Sequence, residues 1–253
     1  MPCYALLLEY DGAPFVGWQR QETGLSVQQV LEEAAARLNG GEAPPVTAAG
    51  RTDAGVHAEG QVAQVSLAAA LPPARLREAL NFHTRPHPVA VLGAALMPPD
   101  WSARFSATGR AYRYRILNRA ARPALERGRV WHIQKRLDAA AMHEAAQMLL
   151  GRHDFSAFRA AACQARSALR TLDRLDVARL GEEVVITAEA RSFLHHQVRN
   201  MVGTLVEVGL GKRPPTWPRA VLEGRDRRRA GQTAPADGLV LTAVRYATPI
   251  PWG

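Results

Sequence analysis

"SVQQVLEEAAARLN" (26–39) is the stretch on which the fold turns. Val27, Val30, Leu31, Ala34 and Leu38 recur at three- and four-residue spacing, so they share one face of a helix. Ser26 followed by Gln29 is a capping box, and Asn39-Gly40-Gly41 supplies a stop. Upstream, "CYALLLEY" (3–10) reads as a strand. Downstream come a short strand near 46–49 and the alternating "QVAQVSL" (61–67). Leu71-Pro72-Pro73 then leads into a helix over 74–81, and "PVAVLGAALM" (88–97) gives another strand. The order is β-α-β-β-α-β.

The rest of the chain repeats it. "AYRYRIL" (111–117) is a strand, and "DAAAMHEAAQMLLG" (138–151) is a helix capped by Asp138 and stopped by Gly151. Strands follow near 169–178 and 183–190. "FLHHQVRNMVGTLVEVGL" (193–210) is a periodic helix through Leu194, Val198, Met201, Val202, Leu205 and Val208, and "GLVLTAVRY" (238–246) closes as a strand. The expected class is α/β (α+β): tandem ferredoxin-like halves sharing a mixed, mainly antiparallel sheet. The boundary is expected after Pro98-Pro99, giving halves of 1–103 and 104–253. Residues 118–137 and 211–237 read as connections without strong periodicity. The densest basic run, "GRDRRR" (224–229), is a solvated loop or tracks a phosphate backbone.

A formal charge of +9 and a pI near 10.5 suggest a polyanionic partner, most simply nucleic acid. Lys135 and Lys212 are the only lysines; a GC-rich genome explains the arginine bias as well as phosphate recognition does. Cys3 and Cys163 form no C-x-x-C motif, which excludes a disulfide scaffold and a cysteine-rich zinc site. No segment approaches the roughly eighteen apolar residues that span a bilayer, and the opening "MPCYALLLEYDG" lacks a basic leader, so a cytoplasmic location is expected. "EVGLGKRP" (207–214) fails as a phosphate loop, because Val206 stands where the first glycine belongs and Arg213 replaces Ser/Thr. His83 and His87 are interrupted by Pro86, and His195 and His196, taken on the 193–210 helix, diverge by about 100°. No metal and no cofactor are predicted, so ordinary side chains must carry the chemistry.

"GRTDAGVHAEG" (50–60) sets Arg51, Asp53 and His57 among glycines. Asp-Ala-Gly is ordinary turn chemistry, and by itself it reads as structure. Extended to "GRTDAGVHAEGQV" (50–62), it occurs in order with "YDGAPFVGWQRQ" (10–21), "SVQ" (26–28), "RFSATGRAYRYRI" (104–116), "HDFSAFR" (153–159), "FLHHQVRNMVG" (193–203) and "APADGLVL" (234–241), and together they resemble the TruA family of tRNA pseudouridine synthases. "NFHTRPHP" (81–88) departs from that pattern, where a Leu-Pro-containing turn would be expected.

The resemblance implies a homodimer with a basic cleft, tRNA as substrate, and no metal or cofactor. It also implies isomerisation of uridine to pseudouridine at positions 38, 39 and 40 of the anticodon arm. Asp53 is the residue it assigns to catalysis, by attack on the sugar carbon, deprotonation of the sugar or addition to the ring. Tyr112 is placed against the uracil, Leu239 beneath it, and Arg199 paired with Asp53 so that the carboxylate stays ionised. Without the resemblance, Arg199 would be a snorkelling side chain and Leu239 a core leucine. Arg51 either fills the space of a flipped base or holds a phosphate, or else steadies the Asp53 turn. A non-catalytic RNA-binding module is a poorer match, since no RNP1 run is present. An N-glycoside hydrolase would want a second carboxylate, for which Glu59 is nearest.

Overall fold

In the computed structural model, which describes residues 1–253, the first strand β1 (Cys3–Tyr10) has a partner on each side. It is followed by α1 (Val27–Ala36), β2 (Thr47–Ala48), β3 (His57–Ser66), α2 (Pro73–His83) and β4 (Val89–Met97). β1 runs antiparallel to both β3 and β4, and β2 lies antiparallel on β3. The spatial order β4-β1-β3-β2 is that of a ferredoxin-like β-α-β-β-α-β unit. Alternation puts Tyr4, Leu6, Leu8 and Tyr10 on one face, all buried. Ala5 faces the other way, into a cluster with Val62, Ala95, Ala103 and Ile250. A central strand buried on both faces accounts for the unbroken apolar run in "CYALLLEY". This unit comprises Met1–Gly109 and Leu241–Gly253.

Ser26 caps α1 as expected, its Oγ accepting from Gln29 N at 3.2 Å. The reciprocal half of the box is replaced, because the Gln29 side chain donates to Glu33 at 2.9 Å. The helix stops at Ala36, three residues short of Asn39. Gly40 and Gly41 both take left-handed φ, which lets Gly41 N fold back onto Ala36 O at 2.9 Å.

The second unit, Arg110–Val240, takes in most of β5 (Ala107–Leu117), then β6 (Trp131–His132), α3 (Ala139–Gln147), β7 (Gly151–Asp154), β8 (Leu169–Leu180), β9 (Glu183–Ala190), α4 (Gln197–Gly209) and α5 (Trp217–Gly224). β10 (Leu239–Tyr246) begins there. β9 pairs antiparallel with β5 and β8, and Arg115 N donates to Gly238 O at 2.9 Å, setting the start of β10 beside β5. Without β6, β7 and α5, the order of types is again β-α-β-β-α-β. The fold class is the one expected: mixed α/β, with every pairing described here antiparallel except the short β5–β6 contact.

Three elements lie where the sequence reads as connection or coil. β6 and β7 are too short to show a period. α5 hides behind Pro214, Pro215 and Pro218, yet proline is tolerated in a first turn, and Pro218, Val221 and Leu222 form a buried stripe. One boundary also changes an argument. His196 has φ 63°, which no helix can continue, so α4 begins at Gln197 rather than 193. His195 and His196 therefore precede the helix, and their rings lie 4.1 Å apart instead of diverging.

Arg115 on β5 reaches Glu183 with two bonds, Nε to Oε2 at 2.9 Å and Nη2 to Oε1 at 2.6 Å, and Glu126 with a third at 2.8 Å. The guanidinium holds the Glu183 carboxyl below its ordinary value. A depressed carboxylate stabilises the fold above its ordinary value and loses that contribution as pH falls through the folded value. Glu183→Gln should thus cost about 1 kcal/mol at neutral pH. The gap from wild type should close in thermal melts below pH 4.5, the ordinary value for the group. An equal gap at all pH values would contradict this.

Candidate active site

Asp53 stands on a loop that the 10–18 segment holds from below. Trp18 N donates to Thr52 O at 3.0 Å, Gly55 N to Phe15 O at 3.3 Å, and Val56 N closes a turn onto Asp53 O at 3.1 Å. Gly55 supplies the left-handed φ (76°) that this turn needs at its third position. Gly12 and Gly17 are required for a different reason: a Cβ at either would overlap the loop backbone, at Val56 and Thr52 respectively. "YDGAPFVGW" and "GRTDAG" are thus two halves of one structure.

Polar side chains fix the flanks. The Tyr10 hydroxyl and Thr52 Oγ1 lie 2.8 Å apart, and Gln61 Nε2 donates to Gly50 O at 2.7 Å and to the Tyr10 hydroxyl at 3.4 Å. Burial pushes the Tyr10 phenol up to about 12, against the hydrogen bonds from Thr52 and Gln61. It therefore stays neutral and acts as a fixed strut. Thr52 is buried, Asp53 half-buried and Arg51 exposed, so the aspartate stands on a sealed base and keeps part of its surface open. Tyr10 and Gln61 were not among the residues singled out from sequence, although both sit inside the motifs that were.

His57 is 4% exposed, and its Nδ1 lies 3.1 Å from Gly12 N and 3.0 Å from Asp11 Oδ1. One nitrogen cannot accept from the first and donate to the second. The Gly12 bond is the one assigned, because Gly12 N–H is buried and needs an acceptor, while Asp11 Oδ1 already receives Ala13 N–H at 3.0 Å. His57 is a structural support for the loop. Arg51, next to the buried Thr52, is exposed on the same loop.

The second unit gathers the other three residues. Tyr112 and Tyr114 share one face of β5, as their alternation requires. Tyr114 is fully buried and donates its hydroxyl to Pro235 O at 2.8 Å. Burial raises its pKa, opposed by nearby Arg199. Tyr112 is 9% exposed and meets Phe193 edge-on at 5.3 Å. Arg199, half-buried on the first turns of α4, donates Nε to Ala234 O at 2.8 Å, while Ala234 N returns a bond to Arg199 O at 3.1 Å. Leu239 is buried, its N bonded to Ala236 O at 2.8 Å. Gly238 has no room for a side chain, since a Cβ would sit 2.7 Å from Arg115 O and 2.8 Å from the Tyr114 ring. "APADGLVL" is therefore a strap between β5 and α4, tied to Tyr114 and Arg115 on one side and to Arg199 on the other, and running into Leu239.

Two ferredoxin-like units, one bearing a lone aspartate loop and the other an aromatic strand with an arginine helix, match a family model described as tRNA pseudouridine synthase over residues 7–106 and 145–247. Curated relatives agree. The chain is 67% identical over 244 residues to a protein of Acidiphilium cryptum named tRNA pseudouridine synthase A, covering 96% of each chain. It is 61% identical to a protein of that name from Paramagnetospirillum magneticum, covering 98% of this chain and 96% of the relative. A third, from Rhodospirillum centenum, is 60% identical, with 97% and 100% covered. The chain belongs to the tRNA pseudouridine synthase family.

Proposed function

We propose that this chain isomerises uridine to pseudouridine at positions 38, 39 and 40 of the tRNA anticodon stem-loop, with Asp53 as the catalytic group. The supporting observation is the rigidly held loop that carries one half-buried carboxylate in a chain of this family. The N1–C1′ bond breaks, C5 bonds to C1′, the C5 proton leaves to water and N1 gains a proton. Composition is conserved, so the step needs a carboxylate and a held sugar but no external reactant. Tyr112 stacks on the uracil, Leu239 supports it, and Arg199 and Arg51 serve the bound RNA. The functional halves are 1–103, with the aspartate loop, and 104–253, with the tyrosine strand and the arginine helix. The enzyme works as a homodimer in the cytoplasm. No helix is long and apolar enough to cross a membrane.

Unmodified transcripts carrying uridine at only one of the three positions test this reading. Each should acquire pseudouridine at that position, in EDTA as well as without it. Free uracil would point to an N-glycoside hydrolase instead. Binding should weaken at least about tenfold between ~50 and ~200 mM salt, because arginine–phosphate contacts release counterions. A flat response in filter binding would contradict the phosphate-contact reading.

A further inference from the structure

Arg227 lies within "GRDRRR", but it does not behave as the rest of that run does. Arg228 is exposed and pairs with Asp226 at 2.9 Å, and Arg229 is exposed. Arg227 turns inward to three neutral acceptors: Gly231 O at 2.8 Å, Asn200 Oδ1 at 3.0 Å and Thr233 Oγ1 at 3.0 Å. No carboxylate neutralises it, and burial works against its charge. Asn200 is the hub. It is fully buried, its amide donates to Phe158 O at 2.7 Å, and its Oδ1 also accepts the Thr233 hydroxyl at 2.7 Å. One turn further along α4, Thr204 Oγ1 receives Gly231 N at 3.0 Å. At Gly203 and Gly231 the helix and strap backbones touch so closely that neither position admits a Cβ.

This junction fixes the root of the 231–239 strap. A few residues on, the same strap presents Ala234 O to Arg199 and ends in Leu239. Asn200, the hub, is the neighbour of Arg199 on α4. Apolar packing alone would hold a strap to a helix without half-burying a cation that no carboxylate neutralises. What a guanidinium adds is direction: bonds in a planar fork that fix height and register.

We propose that Arg227 is a positioning residue for the isomerisation: through Asn200 and Thr233 it sets the strap that orients Arg199 and Leu239, without touching RNA itself. The proposal rests on the functional reading above for Arg199 and Leu239. A misplacement of about 1 Å at such a site can lower a rate on the order of a hundredfold, so a shift of the strap is enough to act on the chemistry without a contact of its own.

The test compares Arg227→Met, Arg227→Lys, Arg199→Met and the double variant Arg227→Met/Arg199→Met, by single-turnover rate and KM on tRNA, with amide exchange over 231–239. Arg227→Met should lower the rate at least about tenfold, move KM less than about threefold and speed exchange in the strap. Lysine, with a charge but no fork, should restore the rate in part. In the Arg199→Met background the further loss should be clearly smaller than in the wild-type background, because the part carried through Arg199 is already gone and only the part through Leu239 remains. Losses that multiply, a raised KM with the rate intact, or unchanged strap exchange would each overturn the proposal. A variant that merely destabilised the fold would give multiplying losses. If Arg227→Met does not unfold cooperatively, Thr233→Val removes one hydroxyl from the same junction and is read the same way. A wild-type chain that makes no pseudouridine sinks the functional reading, while the exchange arm still decides whether Arg227 holds the strap.

Discussion

Asp53→Asn is expected to fold, to bind tRNA, and to form pseudouridine at least about 10⁴-fold more slowly than wild type. The fold survives because the bonds that shape the loop, from Trp18, Gly55 and Val56, use backbone atoms that the substitution leaves in place. Binding survives because phosphate contacts supply most of it, and the swap removes no positive charge. Chemistry fails because an amide of the same shape can neither attack as a nucleophile nor accept a proton as the carboxylate does. A melt within a few degrees of wild type, a filter-binding curve and a timed product assay measure the three parts separately. Activity within tenfold of wild type would remove Asp53 from the mechanism.

Gly203→Ala carries the largest expected effect on stability. In an ordinary helix interior the change would gain about 1 kcal/mol. Here the new methyl would overlap the Gln232 carbonyl, and the obstacle is backbone on both sides. Helix and strap must part, breaking the Gly231 N bond to Thr204 and unseating the Arg227 junction. A loss of about 3 kcal/mol or more is expected. Gly209→Ala is the control. Its Cβ would also be crowded, but by the side chains of Met142 and Leu137, and the flexible thioether can move aside. Thermal melts should show a deep fall for the first variant and a smaller one for the second. Equal melting temperatures for Gly203→Ala and wild type would contradict the close contact.

Much of this architecture was legible because it is periodic. β1 matches its expected bounds at both ends, the first β-α-β-β-α-β run is as expected, and the second holds once β6, β7 and α5 are set aside. The misses have separate causes. α1 ends early because Leu38 N and Asn39 N turn to the tighter i−3 carbonyls before the two glycines fold the chain back, and a hydrophobic stripe cannot show where that happens. α4 starts late because a left-handed residue at His196 interrupts a pattern whose apolar spacing continues across it. α5 was invisible because prolines, which usually end helices, sit where they begin one. At the site, Asp53 and the glycines around it stood out as chemistry-bearing or conformationally special types. The residues that orient the rest did not. Asn200, Thr233 and Arg227 are remote in sequence, and only the close packing at Gly203 and Gly231 brings them to one junction. Arg227 was also masked by its neighbours, since a run of arginines reads as one solvated patch.

The most direct measurement uses a tRNA transcript whose uridines carry tritium at C5. Forming the C5–C1′ bond expels that hydrogen, so wild-type protein should release tritium to water in step with pseudouridine and yield no free uracil. Asp53→Asn should release none above background. Tritium retained by a protein that binds the transcript, or free uracil in place of pseudouridine, would contradict the account.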